Sequence, residues 1–128
     1  MIILMLRFAL RAETTQAERA TVLAAMRRTA NLESVSFSAV GQDLGDSADG
    51  YTHAYCAGVR DLVALRRYLY DPVHLDGDLE ILPHLARLSA LQLSDDMDPE
   101  LKEKIVAMHR EKVVAYPEWG RLLDTIPR

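Results

Sequence analysis

The stretch IILMLRFAL, from Ile2 to Leu10, constrains the fold more than any other part of the chain. Its only charge is Arg7. A strand with one face in water alternates apolar and polar residues, whereas a strand apolar on both faces must be covered on both. The stretch is too short for a membrane span and has no basic segment before it, so a strand is expected rather than a signal peptide. A chain of 128 residues holds about one domain, with a real core but little material for a second layer. The second cover for this strand is therefore expected to come from another copy of the chain.

The elements that follow support a sheet with helices on one side. Thr15 with Glu18 three residues on is a capping-box signal. It opens a predicted helix to Ala30, with Val22, Leu23, Met26 and Ala30 inward and Arg19, Arg27 and Arg28 outward. Glu33 to Gln42 reads as a second strand, with Val35, Phe37 and Ala39 on one face and Ser34, Ser36 and Ser38 on the other. Residues 43–50 are rich in Asp and Gly and read as a loop. Tyr51 to Val59 reads as a third strand, placing Tyr51, His53, Tyr55 and Ala57 on one face. Asp61 caps a second helix carrying Leu62, Leu65, Tyr68 and Leu69, which Pro72 ends or kinks. Leu75 to Ala86 reads as helical, with Leu75, Leu79, Leu82 and Leu85 inward and Pro83 interrupting the pattern. Leu88 to Leu93 reads as a short last strand.

The order β-α-β-β-α-β is the split β-α-β plan of ferredoxin-like folds, an α+β class. Four strands with helices on one face leave the other face bare, and an apolar face of that size calls for a partner. A homodimer closing two sheets into a barrel satisfies it, and C2 pairs are the commonest homo-oligomers.

Charge divides the chain. Residues 1–96 hold nine Arg, thirteen acids and no Lys, while 97–128 hold all three Lys and are neutral overall. The expected organisation is a core of 1–96 and a C-terminal helical extension of 97–128. Asp98-Pro99 signals a helix start. Glu100 to Ala115 then carries a stripe of Leu101, Ile105, Met108 and Val113. Tyr116-Pro117 breaks it, and a closing helix would hold Trp119, Leu122, Leu123 and Ile126. The segment is expected to pack on the core or on the partner subunit.

Net charge is −4 and the pI is about 5.5. Nucleic acid and anionic membranes demand a basic face, so neither is expected as a partner. The single Cys56 cannot form an internal disulfide, which fits the cytoplasm, and on an apolar strand it reads as filler. No metal or nucleotide motif is present. Asp71, His74, Asp76, Asp78 and Glu80 form an acidic run read as a solvated loop. Asp76-Gly77-Asp78 lacks the twelve-residue frame of a calcium loop. His84 and His109 read as surface residues.

Gly50-Tyr51-Thr52-His53, then Tyr68, then Asp71-Pro72-Val73-His74, resembles the stress-responsive α/β-barrel family over roughly residues 1–95. The resemblance implies a dimeric α+β barrel that works without a cofactor. Within the family the chain looks most like plant polyketide-cyclase members, such as the one forming olivetolic acid. On that likeness His74 would be the general base of an aldol-type closure and Tyr68 would hold the reacting carbonyl. His53, Tyr51, Tyr55, Leu4 and Leu6 would line the pocket. Two pocket residues of the cyclase fall here on Ile2 and Ala24, so the wall is expected to be more apolar. The residue chemistry agrees with these roles, since imidazole titrates near neutral pH and a phenol can donate to an enolate oxygen. Tyr68 and His74 lie six residues apart, about 240° around an ideal helix, so only a kink at Pro72 can bring them together. Two other readings remain: a non-catalytic, ligand-binding or stress-associated dimer with a structural Pro-x-His, and a cofactor-independent monooxygenase on the same barrel. Trp119, lying outside the core, gives that last reading no obvious aromatic partner.

Overall fold

The computed structural model describes residues 1–128. Its sheet has the strands β1 (Ile2–Leu10), β2 (Val35–Gln42), β3 (His53–Val59) and β4 (Leu85–Ser94) in the order β2-β3-β1-β4, with every neighbouring pair antiparallel. The helices are α1 (Gln16–Ala30), α2 (Leu62–Tyr70), α3 (Pro72–Ile81), α4 (Leu101–Ala115) and α5 (Pro117–Asp124). This is the ferredoxin-like α+β plan with C-terminal helices added. No helix is long and apolar enough to cross a membrane.

The first helix begins as its residues dictate. Thr15 Oγ1 accepts from the Glu18 amide at 3.1 Å and Glu18 accepts from the Thr15 amide at 2.9 Å. Its inward face buries Val22, Ala25, Met26 and Ala30.

Facing partners on neighbouring strands share a side of the sheet. Leu4, Leu6 and Phe8 of β1 face Ala57, Tyr55 and His53 of β3 on the helix side. Ile3, Met5, Phe37, Leu91 and Leu93 fall on the opposite side, where all but half-buried Ile3 are exposed. No element of this chain covers that apolar face.

Several boundaries differ from the sequence reading. Val35 and Phe37 do not share a face, because the β2–β3 register shifts between them. Val35 faces Val59, whereas Phe37 lies over Gly58 on the outer side. A Cβ on Gly58 would stand 2.2 Å from the Phe37 ring, so this close approach needs glycine. The acidic run at 71–80 is no loop. It forms α3, capped by Asp71 with Pro72 in the first turn. A 3-10 turn at Leu82–His84 then ends the helical stretch where Pro83 falls, and β4 starts three residues earlier than predicted.

The C-terminal segment packs on its own subunit. Leu101, Ile105, Trp119 and Ile126 join the core cluster. Arg66 of α2 pairs with Glu111 of α4 at 2.7 Å, and the Leu88 amide of β4 donates to the Pro127 carbonyl. In α4 the inward stripe is Leu101, Ile105, half-buried Met108 and Lys112, while Val113 is exposed. Lysine in place of an apolar residue at the end of this stripe is a correction to the sequence reading. The spacing 101, 105, 108, 112 could have revealed it.

Candidate functional site

A cavity of about 720 Å³ lies between the helix side of the sheet and the helices. Of its 25 lining residues, 18 are hydrophobic, so its few polar groups can act in an apolar setting. Leu4, Leu6 and Tyr55 come from the strands, Tyr68 from α2, His74 and Asp78 from α3, and Lys112 and Trp119 from the C-terminal helices.

The break at Pro72 explains why Tyr68 and His74 meet. In a continuous helix the Tyr68 carbonyl would accept from the amide of residue 72, but proline has no N–H. His74 Nδ1 fills that vacancy, 2.8 Å from the Tyr68 carbonyl oxygen. A carbonyl can only accept, so Nδ1 carries a proton and donates. The two rings lie 4.4 Å apart.

The other ring nitrogen, Nε2, stands 3.2 Å from Asp78 Oδ2, one turn on in α3. The same oxygen accepts from Trp119 Nε1 at 2.8 Å. Burial by itself pushes the Asp78 carboxyl up. The charge and hydrogen bond of His74, the nearby Lys112 ammonium and the Trp119 hydrogen bond outweigh it, and the carboxyl is held below its ordinary value. An ionised Asp78 only accepts, so its Oδ2 can receive a proton that reaches His74 Nε2. Gly77 sits between them in sequence and lets α3 approach α1. A Cβ there would lie 3.3 Å from Thr29 Oγ1.

The second polar feature is a pair of phenols. Tyr55 and Tyr68, both buried, bring their hydroxyl oxygens within 2.6 Å. Burial pushes Tyr55 up to about 12, and burial with the Tyr55 neighbour raises Tyr68 well above its ordinary value. Both therefore keep their protons across ordinary pH. One proton serves the mutual bond, which leaves one to donate to a third group.

Lys112 is the group that sequence reasoning missed. It is fully buried, its Nζ has no hydrogen-bond partner, and it stands 4.0 Å from the centre of the Trp119 ring. Burial pulls its amine down to about 8, against the attraction of Asp78. His109, expected at the surface, is half-buried on the cavity wall with Nδ1 bonded to the Ile105 carbonyl at 3.0 Å. Trp119 also missed its role in the sequence reading, because nothing in a one-dimensional pattern links it to Asp78.

Not every candidate comes to the cavity. His53 stacks on Phe8 with ring centres 5.4 Å apart and bonds Thr52 Oγ1 at 2.7 Å. Burial, then the Arg19 charge, lowers its affinity for a proton. Tyr51 precedes β3 and lies under the guanidinium groups of Arg7 and Arg87, at 4.6 and 5.2 Å. Both arginines belong to the outer side of the sheet, so Tyr51 leaves the face it was expected to share with Tyr55. Leu4, Leu6, Tyr55, Tyr68 and His74 do line one cavity.

The stress responsive A/B barrel domain model matches residues 3–93. The chain belongs to that family. Solved structures agree in fold. A dimeric ferredoxin-like protein of unknown function from Thermobifida fusca is 26% identical, with a TM-score of 0.64 over 73% of this chain and 89% of its own. A hydroxynitrile lyase from Passiflora edulis is 20% identical, with a TM-score of 0.65 over 76% of this chain and 96% of its own. An Arabidopsis thaliana protein is 15% identical, with a TM-score of 0.65 over 77% and 98%. No curated protein matches the sequence. The family match stops before α4, so Lys112 and Trp119 come from outside the matched region.

Proposed function

We propose that this barrel protein is a homodimer that binds a small, largely apolar, carbonyl-bearing molecule between sheet and helices and acts on it without a cofactor. The observation that carries this reading is the joint placement of the Tyr55–Tyr68 phenols and the His74–Asp78 pair on one apolar cavity wall. The spare phenol proton would meet the ligand carbonyl and stabilise an enolate as charge develops on oxygen. With its Nε2 proton absent, His74 presents a lone pair beside an ionised carboxylate, an arrangement that draws a proton. The pair would take one from the carbon next to the carbonyl and hold it between Nε2 and Asp78 Oδ2. The enolate carbon would then attack a second carbonyl of the same molecule, as in an aldol closure.

A specific observation favours a second reading, a non-catalytic ligand-binding or stress-associated dimer. Both nitrogens of His74 already have protein partners, as in a histidine whose job is to fix the turn at Pro72. Turnover of a poly-β-keto substrate by the parent and by His74→Ala separates the two. A loss of about 100-fold or more supports the base, within the range of general-base contributions. Equal rates leave only the binding role.

The dimer is supported by the bare outer face and by the Thermobifida fusca neighbour described as dimeric. Native mass spectrometry tests dimer and ligand together, since it reports subunit number and any retained small molecule. A monomer that holds nothing would sink the reading.

A further inference from the structure

The C-terminal helix α4 gives the cavity a positive side. Lys112 and Arg110 line it, beside a His109 whose proton affinity burial lowers, and the only carboxylate on the wall is Asp78. Asp78 is already engaged, because its Oδ2 accepts from Trp119 Nε1 and stands 3.2 Å from His74 Nε2. Lys112 is left as a buried cation with no oxygen to receive its protons. Such a group is costly to bury, and here only the face of Trp119 and the attraction of Asp78, which makes no hydrogen bond to it, offset that cost. Nζ exposes almost no surface to the cavity, so a ligand whose anionic oxygen group displaced the side chains beside it would supply the missing acceptor. An apolar body would meanwhile fill the hydrophobic remainder of the cavity.

We propose that Lys112 is the anion-binding residue of the cavity, and that the ligand class is an apolar monocarboxylate whose carboxylate sits against the Lys112 ammonium. The proposal rests on the reading above that the cavity binds a small molecule, and it deepens that reading by naming the charged end of the ligand. The C-terminal helices thereby act as the specificity element for a cavity whose core wall is neutral apart from one satisfied pair. An ammonium–carboxylate hydrogen bond in an apolar surround is stronger than its solvent-exposed counterpart.

Octanoate and 1-octanol, equal in chain length and different in charge, provide the test by calorimetric titration. The parent is expected to bind octanoate at least about tenfold more tightly than octanol, the scale of one desolvated charge pair. Lys112→Met keeps the length and apolar fit of the stem and removes the buried charge, so it is expected to fold. It should lose that preference while retaining octanol. Lys104→Met, on the exposed face of the same helix, should leave both affinities unchanged. Side-chain NMR gives an independent readout, because the chain has only three lysines. Octanoate should raise the Lys112 titration midpoint above about 8, against a background set by Asp78 on α3 and by His109 on α4. Equal affinity for octanoate and octanol, or undiminished octanoate binding by Lys112→Met, would overturn the inference and leave the small-molecule reading standing. Binding of neither probe would overturn both.

Discussion

The family region and the C-terminal segment contribute opposite chemistry to one cavity. The family region supplies polar groups that satisfy one another: Tyr55 with Tyr68, and His74 with the Tyr68 carbonyl and Asp78. The segment supplies an indole N–H that bonds across to Asp78 and a lysine that bonds to nothing. A fold can carry self-satisfied polar groups without any ligand. An unsatisfied buried cation points outside the protein for its partner. The difference suggests that the common barrel provides the chamber and that the added helices adapt it.

The comparison breaks first if the segment is only a loosely attached flap. Phe8 is wholly buried in the core, and Trp119 is nearly so in the segment. Truncating either to alanine should cost about 3–5 kcal/mol, as for other buried aromatics. Both variants should unfold in a single urea transition, because Leu101, Ile105 and Ile126 also join the segment to the core. Two transitions in Trp119→Ala, with the sheet melting as in the parent, would show that the segment folds apart from the core.

The buried lysine sharpens the comparison through pH. Its amine titrates near 8 in the folded chain and near 10.4 in an unfolded one. Between these values the unfolded state binds the extra proton, so folding stability must rise with pH. Below 8 both states are charged and the cost of burial is fully present. Above about 10 both are neutral and the cost is gone. The size is on the order of 3 kcal/mol, from about 1.36 kcal/mol per pKa unit. Cys56 and the two buried tyrosines are shifted upward by burial and lower stability as pH rises, so the readout is the parent minus Lys112→Met. That difference should climb from pH 8 to 10. A flat difference would mean that the ammonium finds a partner in solution.

The self-satisfied core pair should respond more gently. Tyr55→Phe or Tyr68→Phe each leaves one buried hydroxyl without its partner, at about 1–2 kcal/mol. The double variant should cost less than the sum, because the second change removes a group already orphaned. Additive losses in a denaturation cycle would show that each hydroxyl has another partner.

The sequence patterns carried the fold well, since the apolar first strand, the Thr15 capping box and the helix signals are all local. They carried the cavity in part. The Pro72 break that joins His74 to Tyr68 is a local event, and Leu4, Leu6 and Tyr55 follow from strand alternation. Tyr51 was misplaced because alternation was extended past the start of β3, where neighbouring arginines redirect it, whereas His53 keeps the face of Tyr55 but stacks on Phe8 away from the cavity. Asp78 was hidden because an acidic run reads as solvated unless one knows what packs over it. Its partners lie four and forty-one residues away: His74 one turn back on the same helix, and Trp119 on α5. Lys112 was legible by spacing, yet lysine identity argued for solvent and the neighbouring Val113 took its place in the stripe.

The smallest expected effect compares two lysines on one helix. Lys104 is exposed and bonds Asp98 at 3.1 Å, with Glu100 also close. The contact raises its pKa, chiefly through the Asp98 hydrogen bond. Exposed ion pairs are screened by salt and offset by the entropy of holding long side chains still. Lys104→Met should therefore leave the urea midpoint within error of the parent, and any residual difference should vanish in about 1 M salt, where the Debye length falls to about 3 Å. Lys112 lies eight residues further along α4, about two turns, and should behave oppositely. Its effect should survive salt, because in the unliganded protein its ammonium is buried away from solvent. If salt erased the Lys112→Met difference as well, the ammonium would be solvated, and the division between a self-sufficient core and a ligand-seeking segment would fall with it.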